Sequence, residues 1–168
     1  MLFRKAEYRD FNEIMAIIKE AQVHLRESGI DQWQNNYPNE EIVQEDIARG
    51  NNYILVEDGK VIGTVVLSFA EEENYKKIYD GQWLCGLAYA VIHRIAVARD
   101  FMGKGYGSIL LKEAEKLCIE RGFKSLRADT HEDNKVMQRL LENHGFQYCG
   151  IIYLEDGAKR IAYEKLIG

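Results

Sequence analysis

With 168 residues, 46% of them hydrophobic and 29% charged, and with one proline and fourteen glycines, the chain suits one soluble globular domain rather than a low-complexity or linker-rich protein. Twenty-two basic against twenty-seven acidic residues leave a net charge of -5, which argues against nucleic-acid binding through clustered Lys and Arg and leaves room for a cationic small substrate. Three cysteines, Cys85, Cys118 and Cys149, without a C-x-x-C pair, speak against a disulfide framework or a zinc knuckle and for a reducing compartment, the cytoplasm.

The start, Met1-Leu2-Phe3-Arg4-Lys5, lacks the apolar core of a signal peptide, and no apolar stretch is long enough to span a bilayer, so no membrane partner is expected. Leu2 to Lys5 reads as a first strand. Phe11, Ile14, Met15, Ile18, Ala21 and Leu25 then fall on one face of a helix that Gly29 stops. A loop with Gln32, Trp33 and Tyr37 follows. Pro38-Asn39 with Glu40 and Glu41 opens a second helix, which closes at Gly50. From Tyr53 the period changes: Tyr53 to Val56, Asp58-Gly59 and Val61 to Phe69 spell a hairpin, since Asp-Gly accepts the positive φ of a two-residue turn.

Residues 71 to 87 are acidic and aromatic (Glu71, Glu72, Glu73, Tyr75, Tyr79, Trp83) and match no periodic template. Ala88 to Val97 is an apolar strand. Gly103 to Arg121 reads as a helix with Leu110, Ala114, Leu117 and Cys118 on one face, so that Cys118 is packing rather than chemistry; Gly122 stops it. Ser125 to Asp129 is a strand, Asn134 to His144 a helix ended by Gly145. Phe146 to Tyr153 and Lys159 to Leu166 close the chain as strands joined through Asp156-Gly157. The order β-α-α-β-β-β-α-β-α-β-β predicts an α/β fold: a mixed, mostly antiparallel sheet of about seven strands with helices on both faces. No repeat or boundary divides residues 1–168, and a single domain is expected.

The stretch from Ile95 to Ser108 is the most informative. A strand ending in Ile95-Ala96-Val97 runs through Met102 into Gly103-Lys104-Gly105-Tyr106-Gly107-Ser108, a G-x-G-x-G turn that opens a helix. Glycines let backbone approach a ligand, and the free N–H groups of a helix start point at an anion, so a pyrophosphate cradle fits, with Lys104 and Ser108 adding a charge and a hydroxyl. A plain glycine-rich turn satisfies the same pattern. A Walker loop needs Ser or Thr directly after Gly103-Lys104, where Gly105 stands. A dinucleotide fingerprint wants Gly or Ala at Ser108 and opens a β-α-β unit rather than following hairpins; Asp129 alone keeps that reading open.

Met102-Gly103-Lys104-Gly105-Tyr106-Gly107 resembles the signature of the GNAT superfamily of N-acetyltransferases: Gln or Arg, two residues, Gly, one residue, then Gly or Ala, entering a helix. It matches at both glycines and departs at Met102. Asn134, Leu140-Leu141-Glu142 and Gly145-Phe146 resemble the family's downstream segment, in the right order and spacing, and the likeness spans the chain in element order. The resemblance implies a GNAT-like fold that binds acetyl-CoA, with the backbone of Ile95, Ala96 and Val97 on the pantetheine. It places the amides from Met102 to Ser108 on the pyrophosphate and Asn134 on the pantetheine arm.

The family's reaction, as the resemblance implies it, is direct attack by an amine on the thioester; a base, oxyanion donors and an acid for the thiolate are needed, and no metal is expected. His93 is the base candidate. It stands four residues before Val97, so strand alternation puts both on one face, and some family members carry a histidine there; a hydrogen-bonded core histidine is the other reading. Arg94 points away and reads as solvated or salt-bridged. Gln32 and Trp33 are candidates for the acceptor pocket, against simple packing. Glu71, Glu72 and Glu73 could attract a cationic amine, although a charge run is commonly a solvated face. Many relatives protonate the thiolate with a tyrosine where Leu141 stands; Tyr148 and Tyr153 are the nearest hydroxyls in sequence. The partner is thus a small-molecule amine or a protein amine, with polyamine, amino acid, aminoglycoside and protein N-terminus all open, and a homodimer is left open too. An acetyl-CoA-binding sensor without turnover and a nucleotide-binding oxidoreductase are the alternatives.

Overall fold

A computed structural model describes residues 1–168. In chain order it contains β1 (Leu2–Lys5), α1 (Phe11–Glu27), α2 (Glu40–Ala48), β2 (Asn52–Glu57), β3 (Lys60–Ser68), β4 (Tyr89–Val97), α3 (Tyr106–Glu120), β5 (Ser125–Thr130), α4 (Lys135–Asn143), β6 (Gln147–Tyr153) and β7 (Lys159–Leu166). The strands form one seven-stranded sheet of order β1-β2-β3-β4-β5-β7-β6. β1–β2, β2–β3, β5–β7 and β6–β7 are antiparallel, and β4–β5 is parallel. This is the α/β fold with a mostly antiparallel sheet that the element order predicts.

The chain clusters into two compact units: Met1–Leu67 with His93–Ala114, and Ser68–Ile92 with Glu115–Gly168. In the first, Ile14, Met15, Ile17 and Ile18 of α1 bury with Val43 and Ile47 of α2 and with Ile54 and Val61 of the hairpin. The hairpin turns on Asp58 and Gly59, both left-handed at φ 52° and 75°. Asn39 caps α2, its side chain accepting from the Ile42 N–H at 3.0 Å. Gly63 on β3 gives α3 its seat: a β-carbon there would lie 2.9 Å from Leu110 Cδ1.

In the second unit the segment 71–87, which shows no period, is held by tertiary bonds. The Arg127 guanidinium lies over the rings of both Trp83 and Tyr89, 4.0 and 3.9 Å from their centroids. Arg127 donates to Glu164 at 2.8 Å, and the fully buried Glu164 also accepts from Ser125 Oγ at 2.7 Å and from the Leu84 N–H. Tyr79 exchanges both backbone hydrogen bonds with Ile151 at 2.8 Å, adding a short bridge beside β6. Cys118 is a core residue whose thiol burial pushes up to about 12.

Several strand ends shift by a residue, and two differences from the pattern reading bear on the site. α3 begins at Tyr106 rather than Gly103, because Gly103 and Gly105 are left-handed (φ 73° and 90°) and cannot extend the helix. β4 begins at Tyr89, one residue after the predicted Ala88, and does not alternate uniformly, since Arg94, in mid-strand, is left-handed at φ 47°.

Candidate functional site

The turn between β4 and α3 is held in place by its flanks. The Ala98 N–H donates to the Ile62 carbonyl at 2.8 Å and the Arg99 N–H to Glu20 at 3.1 Å. Phe101 packs edge-on against Tyr106 at 5.5 Å, and the Tyr106 hydroxyl donates to Glu57 at 2.8 Å. Lys104 Nζ lies 5.8 Å from the centre of the Phe101 ring. Beyond these anchors the chain opens. The N–H groups from Gly103 to Ser108 make no backbone hydrogen bond, and intrahelical bonding resumes with Ile109 donating to Gly105. A β-carbon at Gly103 or Gly105 would meet no protein atom within 4 Å, so the turn is uncrowded at both glycines. Unpaired donors at a helix start on an uncrowded glycine turn fit a phosphate group. Met102, 41% exposed, differs: its N–H donates to the Arg99 carbonyl at 3.2 Å, so the donor set is narrower than Met102 to Ser108.

Ile95, Ala96 and Val97 form the last third of β4, with Ala96 buried and its neighbours half-buried. His93 is half-buried on the same strand. The left-handed Arg94 lies between them, so the period-2 argument that set His93 on the Val97 face crosses an irregular residue and does not hold. A non-glycine residue in that conformation costs about 1–3 kcal/mol and persists only where its surroundings enforce it. Here Arg94 donates from Nε and Nη2 to both oxygens of the buried Asp46 (2.8 and 2.7 Å), and from Nη1 to the Tyr37 hydroxyl at 2.9 Å. The salt-bridged reading of Arg94 is the observed one.

Gln32 and Trp33 lie in the loop between α1 and α2, where Trp33, Asn35 and Asn36 are left-handed (φ 60°, 58° and 58°). Trp33 packs against the core of the first unit. Gln22 Nε2 donates to the Tyr37 and Pro38 carbonyls, and Gln34 Nε2 to those of Gln22 and Gln32.

Within the second unit, Asn134 is the N-cap of α4, accepting from the Met137 N–H at 3.2 Å. Leu141, 1% exposed, is core. Tyr148 and Tyr153 are 53% and 46% exposed and rest edge-on against Tyr163 and Tyr79. Two polar features escaped the sequence reading. Tyr75, buried, donates to Asp129 at 2.7 Å, and burial with that carboxylate holds its phenol well above the ordinary range. The Arg94–Asp46–Tyr37 group joins residues 48 and 57 positions apart in sequence, so no local pattern marks it. No three His, Cys, Asp or Glu side chains gather where they could hold a metal ion. No helix is long and apolar enough to cross a membrane.

A mostly antiparallel seven-stranded α/β sheet carries a left-handed glycine turn from β4 into α3, the frame in which the comparisons with known proteins fall. The sequence model of the acetyltransferase (GNAT) family matches residues 14–146. A solved GNAT-family acetyltransferase from Streptococcus agalactiae is 34% identical, with a TM-score of 0.90 over 99% of this chain and 95% of that one. The S-alkylcysteine N-acetyltransferase of Bacillus subtilis is 28% identical over 74% of this chain, which spans 64% of that enzyme. A PaiA N-acetyltransferase from Thermoplasma acidophilum, solved in complex with coenzyme A, shares the fold at 20% identity and a TM-score of 0.71, over 98% of each chain. The chain belongs to the GNAT family of acetyltransferases, and so to the acyltransferase enzymes.

Proposed function

We propose that residues 1–168 form one acetyltransferase domain that moves the acetyl group of acetyl-CoA onto a primary amine by direct attack, in the cytoplasm. The observation that carries this reading is the turn Gly103–Ser108, whose N–H groups make no backbone hydrogen bond and whose Gly103 and Gly105 are uncrowded, at the start of α3. Its amides would hold the pyrophosphate, with Lys104 supplying a positive charge. Ile95, Ala96 and Val97 would hold the pantetheine through backbone groups; Asn134 is assigned to the pantetheine arm by family resemblance. Acetyl-CoA supplies an activated thioester.

The amine nitrogen forms the new bond to the acetyl carbon, the carbon–sulfur bond breaks, and the electron pair leaves on the thiolate. His93 takes the proton the amine must lose. Gln32 and Trp33 border the acceptor. The S-alkylcysteine enzyme supports a small amine as acceptor class.

The test is calorimetry with acetyl-CoA, followed by an amine screen that detects released thiol. A ligand bound only by the folded chain at about 100 times its Kd adds about 2.7 kcal/mol of stability, so the melting temperature should rise in parallel. No binding of acetyl-CoA or CoA at millimolar concentration would overturn the reading.

A further inference from the structure

Arg94 is the one non-glycine residue of β4 in the left-handed region, and three of its N–H groups are committed: two to Asp46 on α2 and one to Tyr37 at the end of the loop that carries Gln32 and Trp33. Its side chain and that of Asp46 are 15% and 11% exposed, so the fork closes away from bulk solvent, where a charged bidentate pair is strong and directional. Ile95 follows Arg94 directly. The backbone angle at Arg94 therefore sets the path of Ile95 to Val97, and its Nη1 sets the place of Tyr37. The loop has little regular structure: Trp33, Asn35 and Asn36 are all left-handed, and beside the packing of Trp33 on the core its fixed points include the side-chain bonds of Gln22, Gln34 and Arg94.

We propose that Arg94 is a positioning residue that fixes, through one guanidinium, both the β4 segment that carries acetyl-CoA and the loop 30–38 that borders the acceptor amine. The inference rests on the proposed function for the naming of those two sides. The clamp consists of Asp46 holding the fork, Arg94 holding the strand in its left-handed turn, and the Tyr37 hydroxyl receiving the remaining hydrogen bond.

Three variants of the full chain separate these parts. Tyr37→Phe removes only the link to the loop. Arg94→Lys loses the planar fork but keeps a side chain that resists positive φ. Arg94→Gly loses the clamp yet adopts positive φ without steric cost. Two readouts are used: calorimetry with acetyl-CoA, and fluorine NMR of fluorotryptophan-labelled protein, in which Trp33 reports the loop and Trp83 serves as internal control. In Tyr37→Phe the Trp33 resonance should broaden or split with Trp83 unmoved, and acetyl-CoA affinity should stay within about twofold of wild type. Arg94→Lys should loosen Trp33 and weaken acetyl-CoA by about tenfold or more. Arg94→Gly should leave Trp33 loose but restore acetyl-CoA affinity to within about threefold.

A Trp33 resonance unchanged in all three variants, or wild-type acetyl-CoA affinity in Arg94→Lys, overturns the proposal. If an Arg94 variant loses both tryptophan resonances through unfolding, Tyr37→Phe decides, since it removes one hydroxyl. A wild-type chain that fails to bind acetyl-CoA defeats the reading of the glycine turn instead, while the ligand-free Trp33 comparison still judges the clamp.

Discussion

In the proposed reaction His93 would carry the proton-transfer step, and its replacement separates chemistry from binding. A general base contributes about 10²–10⁴ in rate, so His93→Ala should lower kcat by that factor and leave acetyl-CoA affinity near wild type. An Ala variant with full activity returns His93 to a structural role. Leu141 poses the opposite problem. Its place in the family motif suggests a missing acid, but at 1% exposure it is closed core. Adding a ring and hydroxyl there overpacks the core at a cost of about 1–3 kcal/mol. Leu141→Tyr should therefore lower the melting temperature without raising kcat. Tyr148→Phe and Tyr153→Phe test the exposed hydroxyls; loss of activity in one identifies an acid. Full activity in both excludes these two tyrosines as the acid and is consistent with departure as the thiolate, as a thiol with an ordinary pKa of about 8.5 permits.

The glycine turn can be tested against the hairpin, because both use left-handed glycines in open space. Gly59 and Gly105 (φ 75° and 90°) each have no protein atom within 4 Å of an added β-carbon. Valine at either position costs stability through backbone strain, of the order of 1–2 kcal/mol. Only Gly105→Val also adds a side chain within the proposed phosphate turn. Melting temperatures should fall in both variants, and calorimetry should show weakened acetyl-CoA binding in Gly105→Val alone; equal binding in the two would remove the turn from the site. What made this turn legible in sequence was its locality, as with the Asp58-Gly59 hairpin, the Asn39 cap and the Gly29 and Gly145 stops. Segment 71–87 was illegible for the converse reason. Its anchors are Arg127, Asp129, Ile151 and Glu164, all distant in sequence, and its own residues follow no period. The left-handed turn at Arg94 was hidden too, because no glycine marks it and its enforcing partner is Asp46, in another element.

Across pH, stability is governed at each end by groups whose folded-state affinity for a proton differs from that of the open chain. At the acid end, Asp10 receives a two-pronged hydrogen bond from Arg4 (2.8 and 2.9 Å) and another from the Glu7 N–H at 2.8 Å. The Arg4 bond, with help from that amide and against the opposing effect of burial, holds the Asp10 carboxyl below the usual carboxylate range. Its contribution is fully present above an unfolded pKa of about 3.9 and is lost as pH falls through the lower folded value. At the alkaline end the sign reverses. Burial first, then the Glu142 carboxylate, pushes the Tyr163 phenol up to about 12, and burial with the Asp129 carboxylate pushes the Tyr75 phenol well up too. In the unfolded chain both phenols ionise near about 10, so there the open chain sheds protons first. Stability from these two groups is complete below that pH and declines as pH rises through the folded values. Tyr163→Phe removes one such group. The lost hydrogen bond to Glu142, 3.2 Å long, should cost about 0.5–1.5 kcal/mol at neutral pH, and the decline between pH of about 10 and 12 should become shallower. Denaturant unfolding at fixed pH steps measures both quantities. A variant with the wild-type slope over that interval would mean that the Tyr163 phenol ionises as easily in the folded chain as in the open one.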